Sequence, residues 1–253
     1  PLERRGVDGN LWVWEAPDYT KSYMVVADVA RGDATDYSAC HVFDIETCTQ
    51  VAEYKGKLSP KDFGNFLVGL ASEYNEALLV CENANIGWAT IEQLLEREYR
   101  NIYYSSTSNT ESVESYMNKY ERDKLVPGFT MSMRTRPLVI AKMIEYVREK
   151  SVIIQSKRLM SEMRVFVWKN GKAQAQVRYN DDLLIACATA LYVRDTALKL
   201  RQQGMDLARA QLSSFNNLNS RNQAIVRTVG SQMDNPYLMK TNGGDEDISW
   251  LIK

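Results

Sequence analysis

The stretch "SYMVVADVARGDATDYSAC", residues 22–40, opens as a fully apolar strand and stops on a carboxylate, Asp28. A buried acid is costly unless a cation, a proton or a hydrogen-bond donor meets it. Any fold for this chain must therefore bring a partner to the end of that strand. The pattern recurs. "ALLVCENA" is apolar up to Glu82, and "NDDLLIACATALYVRD" places Asp181 and Asp182 at the start of a long apolar segment.

The elements around these acids follow a readable order. "YSACHVFDIET" alternates as a second strand, with His41 and Phe43 on one face and Val42 and Asp44 on the other. "CTQVAEYKGK" reads as a third strand, and the short turns between the three predict an antiparallel meander. Ser59 and Pro60 then form a helix start, followed by Phe63, Phe66, Leu67 and Leu70 on one face. "GWATIEQLLEREY" is helical with Ile91, Leu94 and Leu95 inward, and "NIYYS" is a short strand. "RTRPLVIAKMIEYVREK" is a helix offering Leu138, Ala141, Ile144, Tyr146 and Val147 for burial. "SVIIQS" reads as a strand, and the next segment as a short helix and a hairpin turning at "KNGK". A meander feeding strand–helix units predicts an α/β fold, a mixed sheet with helices on both faces.

The domain expectation is a lead-in over residues 1–21, one α/β domain over 22–202 and a polar tail over 203–253. Within the domain, residues 105–133 are polar without a clean period and read as an extended loop or inserted subdomain.

Composition excludes several classes. The 253 residues carry a formal net charge of -1, and no apolar run reaches the ~20 residues of a membrane span. The N-terminus has neither a signal-like apolar stretch nor an initiator Met, so it reads as a segment of a longer chain. Cys40, Cys48, Cys81 and Cys187 form no CxxC pair and His41 is the single histidine, which argues against zinc and a disulfide framework. Reduced thiols point to the cytosol. No GxxxxGK[ST] or GxSxG occurs. Near-neutral charge does not announce a nucleic-acid binder, yet an acidic centre can offset a basic rim.

Each acid alone has a plainer reading. Asp28 suits a turn, and Asn180-Asp181-Asp182 suits a helix cap favoured by the dipole. The ordered set is harder to dismiss. With the first and fourth strands adjacent, Asp28 and Glu82 stand together, and a helix can add Asp181 or Asp182. Converging carboxylates repel one another unless a cation joins them. One or two Mg²⁺ suit such oxygen ligands, and two ions about 3.5–4 Å apart serve phosphodiester hydrolysis.

The motifs "VVADVARGDATDYSA", "LLVCENANIGWA" and "YNDDLLIACATALYVRDTAL" together resemble the C-terminal nuclease domain of the large terminase subunit of T-even-like tailed bacteriophages. The resemblance spans residues 22–200. It implies an RNase H/retroviral-integrase-like fold and a Mg²⁺- or Mn²⁺-dependent endonuclease using two ions to cut concatemeric double-stranded DNA with little sequence preference. Asp28, Glu82 and Asp182 or Asp181 would be the catalytic metal ligands, with the residue reading leaning to Asp182. Gly32 would allow the loop's turn, and Asp36 would hold a metal-bound water or orient the loop. The implied partners are double-stranded DNA, an N-terminal ATPase domain of the same protein, the portal and the small terminase subunit. The implied location is the cytoplasm of the infected cell, with no membrane role.

DNA phosphates call for Lys and Arg near the acids. Candidates are Arg31, Lys119, Arg122, Lys124, Arg134, Arg136, Lys169, Lys172 and Arg178. Arg134 and Arg136 stand out, because basic residues at a helix start oppose its dipole. Trp88 reads as core rather than as a stacking platform. Two other classes compete: another RNase H-fold enzyme such as a resolvase or transposase, and a non-catalytic DNA-binding or motor-docking module whose acids only cap helices.

Overall fold

The computed structural model of the chain describes residues 1–6, 8–31, 37–84, 86–106, 125–169, 172–198, 202, 238–241 and 244–247. The chain divides into two units, Pro1–Leu200 and Arg201–Lys253.

The first unit is built on a mixed six-stranded sheet. Its strands are β1 (Glu3–Arg5), β2 (Leu11–Val13), β3 (Tyr23–Asp28), β4 (Ser38–Asp44), β5 (Thr49–Gly56) and β6 (Leu78–Cys81), in the order β1-β2-β5-β4-β3-β6. The predicted meander is β3-β4-β5, antiparallel throughout. Among the described strands of this sheet, only the β3/β6 pair is parallel. The lead-in over residues 1–21 supplies β1 and β2, which extend the sheet beyond β5.

Between β5 and β6 runs α1 (Pro60–Glu73). Ser59 caps it by accepting the Asp62 N–H at 3.2 Å, and Pro60 occupies the first turn, where a missing N–H costs nothing. Phe63, Leu67 and Leu70 are buried as expected, while Phe66 is half-buried beside Tyr54, ring centres 4.5 Å apart. With α2 (Gly87–Glu96), this helix covers one sheet face, packing on Val25, Ala27, Val42 and Leu79.

The opposite face carries Met24, Val26, Phe43 and Val80 under α3 (Thr135–Arg148), α4 (Lys157–Val165) and α5, a helix over 182–198. The first half of α5 is buried on every side: Leu183, Cys187, Ala188, Ala190 and Leu191 have no exposure. Truncating Leu183 or Leu191 to Ala would cost about 3 kcal/mol. The mixed sheet with helices on both faces is thus present.

Other expectations need correction. Leu95 is 44% exposed, and α2 turns Gln93 inward instead. In α3, Leu138, Ile144 and Val147 are 54%, 42% and 47% exposed, Ala141 is exposed too, and Val139, Ile140, Met143 and Tyr146 are buried. Apolar residues surround most of this helix, so periodicity did not single out the packed face. "SVIIQS" contributes an isolated bridge, Ile153 to Thr49, rather than a strand.

Part of the polar 105–133 segment belongs to the sheet end. There β7 (Tyr104–Ser106) pairs with β8 (Leu125–Pro127), and Phe129 bridges to Glu82. The hairpin expected at "KNGK" is β9 (Phe166–Lys169) with β10 (Lys172–Ala175). Within the second unit, β11 (Leu238–Thr241) and β12 (Gly244–Asp247) form an antiparallel hairpin.

Candidate active site

Strand register sets the first pair of acids. In the parallel β3/β6 ladder Ala27 faces Cys81, and the Glu82 N–H donates to the Ala27 carbonyl at 3.2 Å. The next residues, Asp28 and Glu82, therefore end up side by side, and their carboxyl groups share a hydrogen bond. Such a bond forms when the pair holds a proton, and the surroundings favour protonation. Desolvation pushes the Asp28 carboxyl well above the usual carboxylate range, followed by the charges of Glu82 and Asp182. Burial also raises Glu82, opposed by its bond to Asp28 and by Arg136.

The "ENANIGW" segment holds Glu82 in place. Asn83 receives no freedom to drift: its amide donates to the Pro127 carbonyl at 3.1 Å and to Thr130 Oγ1 at 3.0 Å. Phe129 N–H donates to the Cys81 carbonyl at 2.8 Å. Gly87 opens α2 directly against the Glu82 backbone, where a Cβ would lie 1.8 Å from the Glu82 carbonyl oxygen. Glycine is needed there for close approach.

The two acids of α5 have different surroundings. Asp182 Oδ2 accepts the Tyr37 N–H at 3.3 Å and the Asn180 amide at 3.2 Å, with Lys55 Nζ at 3.7 Å. It lines a 240 Å³ cleft together with Asp28, Arg31, Tyr37 and Ile86. Asp181 pairs instead with Arg136 Nη2 at 3.1 Å, while its carbonyl accepts the Ile185 N–H at 2.8 Å. Asp182 is thus the acid that shares the Asp28 cleft.

Among the described residues, no three His, Cys, Asp or Glu side chains already form a closed set of metal ligands. The donor chemistry nevertheless fits a hard divalent cation. The Asp28 and Glu82 carboxyls adjoin at the sheet end, where their mutual repulsion favours a proton or a cation, and Asp182 lines the cleft that Asp28 also lines.

Residues that the sequence did not single out brace this centre. Lys55, near the end of β5, ion-pairs with Glu162 of α4 as well as reaching Asp182. Glu162 Oε2 in turn accepts the Leu184 N–H at 2.9 Å, satisfying one of the free donors at the start of α5. Burial raises the Glu162 carboxyl, and Lys55 opposes the rise.

Beneath lies a buried polar network. His41 Nε2 donates to the Leu183 carbonyl at 2.8 Å, and the Gln50 amide donates to His41 Nδ1 at 2.8 Å. Gln50 Oε1 accepts the Gln155 and Ser156 N–H groups at 2.9 and 3.0 Å, and Arg158 Nε donates to the buried Glu53 at 2.7 Å. The network fixes the starts of α4 and α5 on the sheet. Desolvation lowers the His41 pKa, keeping the ring neutral and structural.

Of the cation candidates, Arg31, Arg134, Lys169 and Arg178 are exposed, with Arg31 on the cleft rim. Arg136 is committed to Asp181, which answers the unfavourable dipole at the start of α3. Lys172 lies in β10, but its side chain falls outside the described residues, as do Gly32, Asp36, Lys119, Arg122 and Lys124. Trp88 is 41% exposed, so the core expectation for it does not hold.

The mixed six-stranded sheet with helices on both faces and acids at the β3/β6 end agrees with the RNase H-like fold that the resemblance implies. No protein-family model matches the chain. Among solved structures, the large terminase nuclease from thermophilic phage G20c with bound magnesium aligns over 75% of this chain and 89% of its own, with 20% identity and TM-score 0.57. The same nuclease with bound cobalt gives the same values. The large terminase nuclease domain of Thermus phage P74-26 aligns over 74% of this chain and 86% of its own, with 20% identity and TM-score 0.51. The chain has the fold of the large terminase nuclease domains. Neighbours from thermophilic phages do not single out the T-even lineage.

Proposed function

We propose that this chain is the nuclease domain of a phage large terminase subunit, a divalent-metal-dependent endonuclease that cuts concatemeric double-stranded DNA during genome packaging with little sequence preference. The carrying observation is the Asp28–Glu82 carboxyl pair beside Asp182, at the sheet end of this fold. Structures of the phage G20c large terminase nuclease have magnesium, cobalt or zinc bound. Asp28, Glu82 and Asp182 would hold Mg²⁺ or Mn²⁺, two ions in the active complex. The metal's contribution is to lower the pKa of water and neutralise charge on the phosphate.

The protein's own residues do the rest. A bound cation would favour the ionised form of Asp28, whose carboxyl the surroundings otherwise bias toward protonation. Lys55 and Tyr37 N–H hold Asp182 toward the cleft. Arg136 holds Asp181 aside as a support of the helix start. Arg31, Lys124, Arg134, Lys172 and Arg178 contact phosphates without reading bases, which gives affinity but little sequence preference. The same reading brings an N-terminal ATPase domain, the portal and the small terminase subunit as partners, in the cytoplasm of the infected cell. Among the described residues no helix is long and apolar enough to cross a membrane.

The test is incubation of supercoiled plasmid with the protein in Mg²⁺, in Mn²⁺ and in EDTA. Nicking and linearisation only with metal are expected. Inactivity with both metals overturns the reading, and strict preference for branched DNA or strand transfer would move it to another enzyme of this fold.

A further inference from the structure

Beside the cleft lies a second pocket of 580 Å³, walled by Tyr37, Lys55, Glu162, Val165, Arg178 and Tyr179 among others. Its size falls within the roughly 300–1,000 Å³ of small-molecule sites. It adjoins the proposed catalytic acids directly: Tyr37 lines both spaces, and Lys55 lies 3.7 Å from Asp182. Glu162 does not make it an acidic site, because Lys55 and the Leu184 N–H both engage that carboxylate.

The mouth of the pocket has an unusual construction. The Tyr179 N–H donates to the Gln176 carbonyl at 3.0 Å, closing a four-residue turn over residues 176–179. The third residue, Arg178, has φ +76°. Glycine or asparagine is favoured at such a position, and a long side chain there carries backbone strain. Arg178 is nonetheless exposed at the pocket and makes no ion pair among the described residues. Its neighbour Tyr179 leaves 58% of its surface to solvent. A guanidinium with no ion pair among the described residues, held in a strained turn next to an exposed ring, points to a ligand with an anionic group and a flat face.

We propose that this pocket is a subsite for one unpaired nucleotide of the DNA strand, with Arg178 on its phosphate and its base laid on Tyr179. The identity of the ligand rests on the nuclease reading. A duplex backbone alone would need cations but no exposed aromatic face, whereas an unpaired base gains from stacking. The subsite would favour DNA frayed or melted beside the cut.

The test is fluorescence anisotropy with a labelled single-stranded oligodeoxynucleotide and a blunt duplex of the same sequence, in EDTA, for wild type, Arg178→Gly and Tyr179→Ala. Arg178→Gly should keep or raise the melting temperature, since glycine relieves the turn, while single-strand affinity falls about ten-fold. Tyr179→Ala should weaken the single strand about ten-fold and the duplex much less. Unchanged single-strand affinity in both variants overturns the proposal, as does equal loss on both DNAs with Tyr179→Ala. Because no metal or cleavage is involved, a wild type that binds in this manner but never cuts would defeat the nuclease reading and leave the subsite standing.

Discussion

Asp28 and Glu82 stand side by side because the parallel β3/β6 ladder pairs Ala27 with Cys81 one residue earlier, and their carboxyls are joined by a hydrogen bond. Asp28 is therefore protonated more readily in the folded chain than in the unfolded one. Metal-free stability should fall as pH rises from the ordinary carboxylate range, about 3.9, toward the raised Asp28 value, because the folded state binds the extra proton in that window. Cation binding competes with protonation of this carboxyl, so stabilisation by Mg²⁺ should grow with pH. At about 100 times its Kd the ion adds about 2.7 kcal/mol. Asp28→Asn should match or exceed wild-type stability in EDTA and lose the metal response. Thermal melts across pH, with and without Mg²⁺, check both statements.

Asp181 and Asp182 should separate in function. Asp182 faces the Asp28 cleft, and Asp181 is held by Arg136 at 3.1 Å. Asp182→Asn should cut plasmid about 100-fold more slowly or worse, more than the usual cost of losing a supporting group, while Asp181→Asn should lose about ten-fold or less. Initial rates of supercoil loss give the comparison, and the reverse ranking would reassign the third acid.

Lys55 answers two carboxylates, Glu162 and Asp182, with only 17% of its side chain exposed. Lys55→Met leaves the largely buried Glu162 without its cation and should cost about 3 kcal/mol. Adding Glu162→Gln should restore part of that loss, since the stranded charge is gone. Urea denaturation of both single variants and the double variant measures the coupling.

His41 predicts an acid limit. Burial lowers its pKa from the ordinary 6.5, so the unfolded chain takes up the proton first. The stability associated with neutral His41 is complete above about 6.5 and is lost as pH falls below it toward the depressed folded value. His41→Gln should flatten the slope of stability against pH in that window. Denaturation midpoints between pH 5 and 7.5 provide the readout.

The sequence carried the fold where local pattern and tertiary packing agree. The β3-β4-β5 meander, the Ser59–Pro60 helix start and the apolar α5 were legible from alternation, capping chemistry and apolar content. Asp28, Glu82 and Asp182 were legible as acids placed where apolar elements end or begin. The brace around them was not. Lys55 and Glu162 are 107 positions apart and meet only because α4 packs over β5, so each alone reads as a surface charge. His41 and Leu183 are likewise separated by 142 positions. The pairing of Arg136 with Asp181 was not legible either, because it depends on how α3 and α5 meet. The α3 face was misread for a similar reason: several faces of the helix are apolar, and its neighbours chose among them.

The most direct test of the central claim is the anomalous-difference density of a crystal soaked in Mn²⁺. Density at the β3/β6 end, bounded by the carboxylates of Asp28, Glu82 and Asp182, is the expected result. A well-ordered site with no Mn²⁺ density there, or Mn²⁺ held only by other residues, would contradict a metal-dependent nuclease centre at these acids.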